Sequence, residues 1–139
     1  MTTTIADERP GRDELVDLYD AVGWSVYTRD PGALVDAVAG SHLVLTARTD
    51  DGSLVGLVRT VSDGVTIAYV QDLLVRPAHQ RGGVGGALLD AVLARYAGVR
   101  QTVLLTDAEP GQRAFYESRG FTEVHDVAPA PLRSFVLLR

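Results

Sequence analysis

Apolar residues in the first half of the chain recur first at helical and then at strand spacing. Over residues 11–22 they return every three or four positions behind acidic residues in the first turn, which predicts an amphipathic helix. Asp30-Pro31 predicts the start of a second, short helix that ends at Gly40, because Asp caps helix N-termini and Pro suits the first helical position. Turns that contain Asp-Gly then separate three predicted strands, which cover residues 42–48, 54–61 and 65–75.

The second half predicts strands that alternate with helices. A glycine-dense loop over residues 77–86 opens a helix that runs to about residue 96, and the largely apolar run over 102–106 predicts a buried strand. A further helix begins at Pro110 and ends at Gly120, and two closing strands follow over 121–127 and 134–138.

With a weak N-terminal strand added, this order predicts one α/β domain over residues 1–139, built as a mixed sheet with helices on both faces. The strand over 65–75 is unusually long, so we expect a bulge or bend inside it.

Composition excludes several classes of protein. The chain has 139 residues, of which 46% are hydrophobic and 22% charged, as in globular proteins and unlike disordered, collagen-like or coiled-coil chains. It contains no cysteine, which excludes disulfides, thiolate zinc sites and cysteine nucleophiles, and its three histidines are scattered, so no metal site is expected. No apolar run approaches the ~20 residues of a membrane span and no signal peptide is visible, so we expect a cytoplasmic protein without a membrane partner.

Charge is distributed unevenly along the chain. The net charge is −5, and all thirteen basic residues are arginine. The first 75 residues hold five Arg and twelve Asp or Glu, whereas the rest of the chain holds eight Arg and six acidic residues. An acidic chain without a basic cluster argues against duplex nucleic acid as a partner. The asymmetry permits an anionic ligand on the second half and a cationic one near the first.

Four glycines within five residues open the helix that follows the third strand: Gly82, Gly83, Gly85 and Gly86. Such a loop exposes successive backbone N–H groups at a helix N-terminus, where the helix dipole adds partial positive charge, so an anion is expected there. A P-loop requires a lysine that this chain lacks, and a dinucleotide fingerprint would place Leu88 where its third glycine belongs. A turn that merely caps the helix would need one glycine only.

The GNAT superfamily of N-acetyltransferases has a Q/R-x-x-G-x-G/A signature, which this loop resembles in Gln80-Arg81-Gly82-Gly83-Val84-Gly85. A second family segment, F-Y-E-x-x-G-F, is similar to residues 115–121. The order of elements also resembles the family's fold, with its mostly antiparallel sheet and bulged central strand. The first helices, with Leu18-Tyr19 and Val22-Gly23-Trp24, further resemble a bacterial and plastid subgroup that includes arylalkylamine acetyltransferases.

The resemblance implies acetyl-CoA as co-substrate and assigns it to particular residues. The backbones of Leu73, Leu74 and Val75 would pair with the pantetheine arm like an extra strand, while their side chains would suit the core. The pyrophosphate would lie against the glycine loop, whose contributing residues are Gln80, Arg81, Gly82, Gly83, Val84, Gly85 and Gly86.

Two residues are candidates for proton transfer. Many family members use a tyrosine at the position of Tyr116 to protonate the departing CoA thiolate, although Tyr116 would also suit a core aromatic. Many members use a Glu on the central strand or ordered water to accept the proton of the amine, and here the only carboxylate of that strand is Asp72. Asp72 would hold the ammonium or relay its proton, or would merely cap the bulge. The family often has an Asn that contacts CoA seven residues before the tyrosine; this chain has Glu109, which puts that contact in doubt.

Trp24 and Tyr27 follow the first predicted helix, in a region that borders the acceptor site in the family's fold. With the acidic surplus of the first half, they suit a primary amine with an apolar or aromatic body, although Trp24 would equally suit a core anchor. The predicted function is acetyl transfer from acetyl-CoA to a small arylalkylamine or alkylamine. The alternatives are acetylation of protein N-termini or lysines, and a non-catalytic acyl-CoA-binding module.

The C-terminal segment predicts a homodimer. Pro129 and Pro131 cannot donate to a strand ladder, whereas residues 135–138 are apolar on both faces and would form an exposed sheet edge in a monomer. A second copy related by a twofold axis would cover this edge, and GNAT-like domains often dimerise. The alternative is that the segment folds back into its own sheet as a buried strand.

Overall fold

Five strands hydrogen-bond into one sheet in the computed structural model, which describes residues 2–139. They are β1 (Thr3–Asp7), β2 (Leu43–Thr49), β3 (Leu54–Ser62), β4 (Ile67–Val75) and β5 (Gln101–Leu104), and they lie in that order across the sheet. The first three pairings are antiparallel and the pairing of β4 with β5 is parallel. The predicted mixed, mostly antiparallel sheet is therefore confirmed. The chain divides into two compact units, one ending at Leu105 and the other beginning at Thr106.

Four helices belong to the first unit: α1 (Arg12–Ala21), α2 (Ser25–Thr28), α3 (Pro31–Ala39) and α4 (Val84–Arg95). The predicted cap of α3 is present, since the Ala33 N–H donates to Asp30 Oδ1 at 3.1 Å. α2 was not predicted from the sequence, because a single helical turn is too short to show a period. Among the described residues, no helix has the length and apolar character needed to cross a membrane.

The sheet carries a hydrophobic core on each face. The α4-side core joins α4 to residues from β2, β3 and β4, including Leu45, Val58, Val70, Leu88 and Val92. The α1-side core joins α1 and α3 to the other face of the same strands, including Leu15, Leu18, Leu34, Leu57 and Leu74. Because side chains alternate along a strand, the two cores use different residues of each strand, and the predicted helices on both faces are confirmed.

The central strand β4 contains the predicted bulge. Arg59 of β3 lies opposite Asp72, but the next residue, Thr60, lies opposite Val70, so Gln71 is the extra residue. Side chains of a regular strand alternate between the two faces of the sheet, and the bulge shifts this alternation by one residue. Val70 and Leu73 both pack into the α4-side core, although they are three residues apart.

Gly56 permits the close approach of α4 to the sheet. A Cβ atom there would lie 3.0 Å from Leu88 Cδ1, 3.1 Å from Val84 Cγ1 and 3.3 Å from the Leu74 carbonyl oxygen. All three distances are shorter than an ordinary van der Waals contact, so the first turn of α4 packs directly on the backbone of β3 at this position.

The second unit contains one α-helix, α5 (Pro110–Glu117), and a 3₁₀ turn at Val124–Asp126. The predicted closing strands over 121–127 and 134–138 are wrong. The backbone of the first of these segments bonds to nearby residues rather than to a strand: the Phe121 N–H donates to the Tyr116 carbonyl at 3.2 Å, and the Val124 carbonyl accepts from the Leu132 N–H at 2.7 Å. At the surface, Arg113 also pairs with Glu123 at 3.2 Å and with Asp126 at 2.7 Å. The last segment is without regular structure, because an apolar pattern makes a strand only where another strand satisfies its backbone. α5 also ends three residues before the predicted Gly120.

We predict that Gly56→Val lowers the free energy of unfolding by about 1–3 kcal/mol, because the added methyl groups have no space between β3 and α4. Urea denaturation followed by far-UV circular dichroism measures this change. Gly98→Val is the control, since a Cβ atom at Gly98 would meet nothing within 4 Å. Equal stability of the two variants would contradict the proposed close contact.

Candidate functional site

β4 and β5 are paired over only the first half of β4. The ladder runs from Ile67 opposite Gln101 to Val70 opposite Leu104 and then stops. Beyond it and the bulge residue Gln71, residues 72–75 of β4 pair with β3 on one side only, so within the described residues their other edge has no strand partner. The predicted ligand-binding residues Leu73, Leu74 and Val75 lie on this half-paired segment. An extended ligand that carries amides can hydrogen-bond to such an edge as an additional strand would.

The glycine loop follows β4 directly and ends at the N-terminus of α4. Gly83 precedes the helix with φ of 88°, and Arg81 has φ of 64°, both in the left-handed region. The first intrahelical bond of α4 runs from the Ala87 N–H to the Gly83 carbonyl at 2.9 Å. The N–H groups of the residues between them, Val84, Gly85 and Gly86, therefore point out of the helix, where they and the helix dipole can bind an anion.

Gln80 connects this loop to the strand. Its Nε2 donates to the Val75 carbonyl at 3.0 Å, which holds the start of the loop against the end of β4. The half-paired edge and the anion-binding helix terminus are therefore consecutive. This arrangement fits a ligand with a pyrophosphate at one end and an extended amide-bearing arm, as in acetyl-CoA.

Asp72 lies at the centre of a buried polar network on the α1 side of the sheet. Its side chain is 2% exposed, and Arg59 Nε donates to its Oδ2 at 2.5 Å. The Tyr19 hydroxyl donates to the same oxygen at 2.9 Å, and the Tyr27 hydroxyl donates to Oδ1 at 2.9 Å. Burial raises the pKa of both phenols, and the negative charge of Asp72 raises it further. Both tyrosines therefore stay protonated and keep donating to the carboxylate.

Trp24 and Tyr27 belong to an aromatic cluster beside this network. The ring of Trp24 lies 5.9 Å from that of Tyr19 and 6.1 Å from that of Tyr27. Both residues are half-buried and pack against the α1-side core. Trp24 thus has the contacts of a core anchor, and each of the two side chains keeps an exposed part.

Tyr116 lies on α5 in the second unit. Its ring makes edge-to-face contacts with Phe115 at 4.9 Å and Phe121 at 5.8 Å. Burial raises the pKa of the phenol and the negative charge of Asp107 raises it further, while a hydrogen bond with Thr106 opposes them. The phenol therefore remains protonated at neutral pH. Glu109, which stands where the family often has Asn, is the N-cap residue of α5.

Three residues that the structure places around Asp72 were not predicted from the sequence: Tyr19, Arg59 and Gln71. Arg59 offered a signal, since it is a charged residue inside an otherwise apolar strand and therefore needs a buried partner. Tyr19 was assigned to the apolar face of α1, and only the structure shows where its hydroxyl lies. Gln71 offered no signal, because its position depends on the bulge.

Comparison with known proteins identifies relatives of this chain. The family described as an acetyltransferase (GNAT) domain matches residues 40–123. A mycothiol acetyltransferase from Clavibacter sepedonicus is 38% identical over 91 residues, which are 66% of this chain and 29% of that protein. The chain spans between 29% and 66% of the lengths of the curated relatives that it matches.

Solved structures of GNAT-family acetyltransferases are also similar to this chain. A GNAT-family acetyltransferase from Streptococcus pneumoniae is 29% identical and superposes with a TM-score of 0.83, covering 99% of this chain and 98% of the other. A GNAT-family acetyltransferase from Brucella melitensis, determined in complex with acetyl-CoA, is 28% identical with a TM-score of 0.65, covering 87% of this chain and 83% of the other.

We predict that Asp72→Asn destabilises the protein by about 3–5 kcal/mol, because it leaves the buried Arg59 guanidinium without a counter-ion. Urea unfolding measures the loss. The double variant Arg59→Met/Asp72→Asn removes the unpaired charge and should recover part of it. A single variant as stable as the unmodified protein would show that the ion pair does not stabilise this face of the sheet.

Proposed function

The chain belongs to the GNAT acetyltransferase family, and on that premise we propose that it transfers the acetyl group of acetyl-CoA to a primary amine, with small arylalkylamines and alkylamines as the favoured class. The observation that carries this proposal is the continuity of the half-paired edge of β4 with the N-terminus of α4. One ligand can use both features only if it combines a pyrophosphate with an extended arm that offers hydrogen-bonding groups.

Acetyl-CoA has those two parts. Its pyrophosphate would bind to the outward N–H groups at the start of α4 and to the loop from Gln80 to Gly86, with Arg81 adding a positive charge. Its pantetheine arm would run along the half-paired edge of Leu73, Leu74 and Val75, where its amides replace a missing strand except at the Val75 carbonyl, which accepts from Gln80. The acetyl thioester would then lie farther back along β4, towards the bulge.

The reaction forms a C–N bond between the amine and the acetyl carbonyl carbon and breaks the C–S bond of the thioester. The CoA sulfur leaves as a thiolate, and we assign its protonation to the Tyr116 hydroxyl. The place of Tyr116 in the segment that resembles F-Y-E-x-x-G-F supports the assignment, because many family members use a tyrosine there, and the phenol is protonated at neutral pH and so has a proton to donate.

Asp72, Trp24 and Tyr27 belong to the acceptor side of the proposed site. The side chain of Asp72 is buried and its two oxygens already accept from Arg59, Tyr19 and Tyr27, so its contacts favour a role in holding its neighbours in place. We therefore assign the proton lost by the amine to water. Trp24 and Tyr27 would supply the aromatic wall against which the apolar body of the amine packs.

Replacing Gly85 by valine should abolish acetyl-CoA binding, because a branched side chain in the first turn of α4 would keep the pyrophosphate from the backbone N–H groups. Isothermal titration calorimetry measures the affinity, and far-UV circular dichroism shows whether the fold is retained. Gly98→Val, far from the loop along the chain, should bind as the unmodified protein does. Unchanged affinity in a folded Gly85→Val variant would refute this placement of the pyrophosphate.

Tyr116→Phe should lower kcat by ~10- to 1,000-fold with little change in acetyl-CoA affinity, because only the proton donor is removed. The rate is measured as free-thiol release from acetyl-CoA, with the best acceptor from a panel of arylalkylamines, polyamines, aminoglycosides and peptides. Full activity in the variant would assign Tyr116 to packing alone. If the unmodified protein binds acetyl-CoA but releases thiol with no acceptor, a non-catalytic acyl-CoA-binding module is favoured instead.

We also propose that the protein forms a homodimer through its C-terminal segment. Phe135, Leu137 and Leu138 are 88%, 72% and 85% exposed, which is unusual for neighbouring large apolar side chains in a monomer. Multi-angle light scattering at tens of micromolar should give twice the 14.9 kDa of one chain. Removing residues 134–139 should give the monomer mass, and a full-length protein that already has that mass would overturn the proposal.

A further inference from the structure

We propose that Tyr27 and Gln71 together recognise the N–H groups of the acceptor amine, and that the buried Asp72–Arg59 pair holds the Tyr27 hydroxyl so that its oxygen faces the amine as a hydrogen-bond acceptor. In this assignment Tyr27 and Gln71 determine specificity, and Asp72 and Arg59 are positioning residues. The inference rests on the proposed function and extends it to the chemistry of the acceptor.

The location of Gln71 follows from the strand pairing. Val70 is the last residue of β4 that pairs with β5, and Gln71 is the bulge residue that comes directly after it. The glycine loop follows Val75, at the other end of the half-paired part of β4. A ligand anchored at the loop and extended along the free edge therefore runs back towards Gln71 over four residues, or ~13 Å at ~3.3 Å per residue. Its reactive end lies beside the bulge.

The bulge brings Gln71 and Asp72 to the same side of the sheet. In a regular strand, consecutive side chains point to opposite faces. Here Gln71 Nε2 donates to the Tyr27 hydroxyl oxygen at 3.3 Å, while the neighbouring Asp72 accepts from the same hydroxyl at 2.9 Å. Tyr27 therefore lies between a buried carboxylate and an exposed amide.

The hydrogen-bonding roles of the Tyr27 hydroxyl are determined by these contacts. A phenol has one hydrogen to donate, and Asp72 takes it. Burial keeps the phenol protonated by raising its pKa, so this donation is permanent near neutral pH. Towards the exposed side, the oxygen can only accept. A ligand group that meets it must bring a donor, as a primary amine or ammonium does.

The exposed amide of Gln71 now occupies the position that the donor of the ligand would take. Its contact with Tyr27 is long, at 3.3 Å, and solvent-exposed, so an incoming N–H group can replace it at little cost. Once displaced, the side-chain carbonyl of Gln71 is a second acceptor for another N–H of the same amine.

The charges beneath Tyr27 do not oppose a cationic ligand. The Arg59 guanidinium lies 6.0 Å from the Tyr27 ring centroid, but Asp72 neutralises it at 2.5 Å. The pair therefore presents no net charge, and recognition depends on the direction of the hydrogen bonds. In this way Asp72, whose oxygens already accept from protein donors, can influence the binding of the amine without contacting it.

The test compares two cations that differ in their N–H groups: 2-phenylethylamine and its N,N,N-trimethyl analogue. Calorimetry measures the binding of each to the CoA-loaded protein. The unmodified protein should bind the primary amine at least about tenfold more tightly than the analogue, as expected for hydrogen bonds to a charged group. Tyr27→Phe should bring the two affinities to within about threefold, and Gln71→Leu should reduce the preference in part. Comparison of variants cancels the difference in size between the two ligands.

Tyr19→Phe is the matched control. It removes the other phenol that donates to Asp72, but Tyr19 is fully buried and cannot contact a ligand, so the preference for the primary amine should be unchanged. In thiol-release assays, Tyr27→Phe should raise KM for the amine about tenfold and leave kcat within about twofold, a split that general destabilisation would not produce.

An unmodified protein that binds both cations equally, or neither of them, overturns the inference, as does a Tyr27→Phe variant with an unchanged preference. These failures are separate from failure of the proposed function, which would appear as an absence of acetyl-CoA binding by the unmodified protein.

Discussion

The bulge at Gln71 is the constraint on which the candidate site depends. Side chains of β4 alternate between the two faces of the sheet, and the extra residue shifts this alternation by one position, so that Val70 and Leu73 both face the α4-side core. It also comes where the ladder with β5 ends, which leaves the rest of β4 with one free edge beside the glycine loop. β5 itself ends at Leu104, so within the described residues the backbone of β4 beyond the bulge has no strand on that side.

The ion pair between Arg59 and Asp72 lies directly beside this bulge. Both side chains are buried on the face that α1 covers, where an unpaired charge would be strongly destabilising. The pair is satisfied by the hydroxyls of Tyr19 and Tyr27, which tie α1 and α2 to the central strands. The same contacts that stabilise this face therefore determine how Tyr27 presents its oxygen.

Local periodicity predicted the elements of the first unit well. A few neighbouring residues are enough to predict each of these features: the capped helix at Pro31, the three antiparallel strands and the glycine loop before α4. The closing strands failed for a related reason. Residues 134–138 have the composition of a strand, but a strand also needs a partner for its backbone, and composition does not say whether one is present. Over 121–127, the backbone bonds to nearby residues, as the Phe121 N–H does to the Tyr116 carbonyl, and the five-stranded sheet does not include this segment.

The sequence alone determined the family and most of the elements of the sheet, and it placed the glycine loop directly before α4. These follow from residue types in consecutive order. The tertiary structure decided which distant side chains meet. Arg59 and Asp72 are thirteen residues apart and Tyr27 and Asp72 are 45 apart, and they come together only through strand register and helix packing. A shift of one residue in that register would turn Asp72 to the other face, which is why no local pattern could have predicted the polar network.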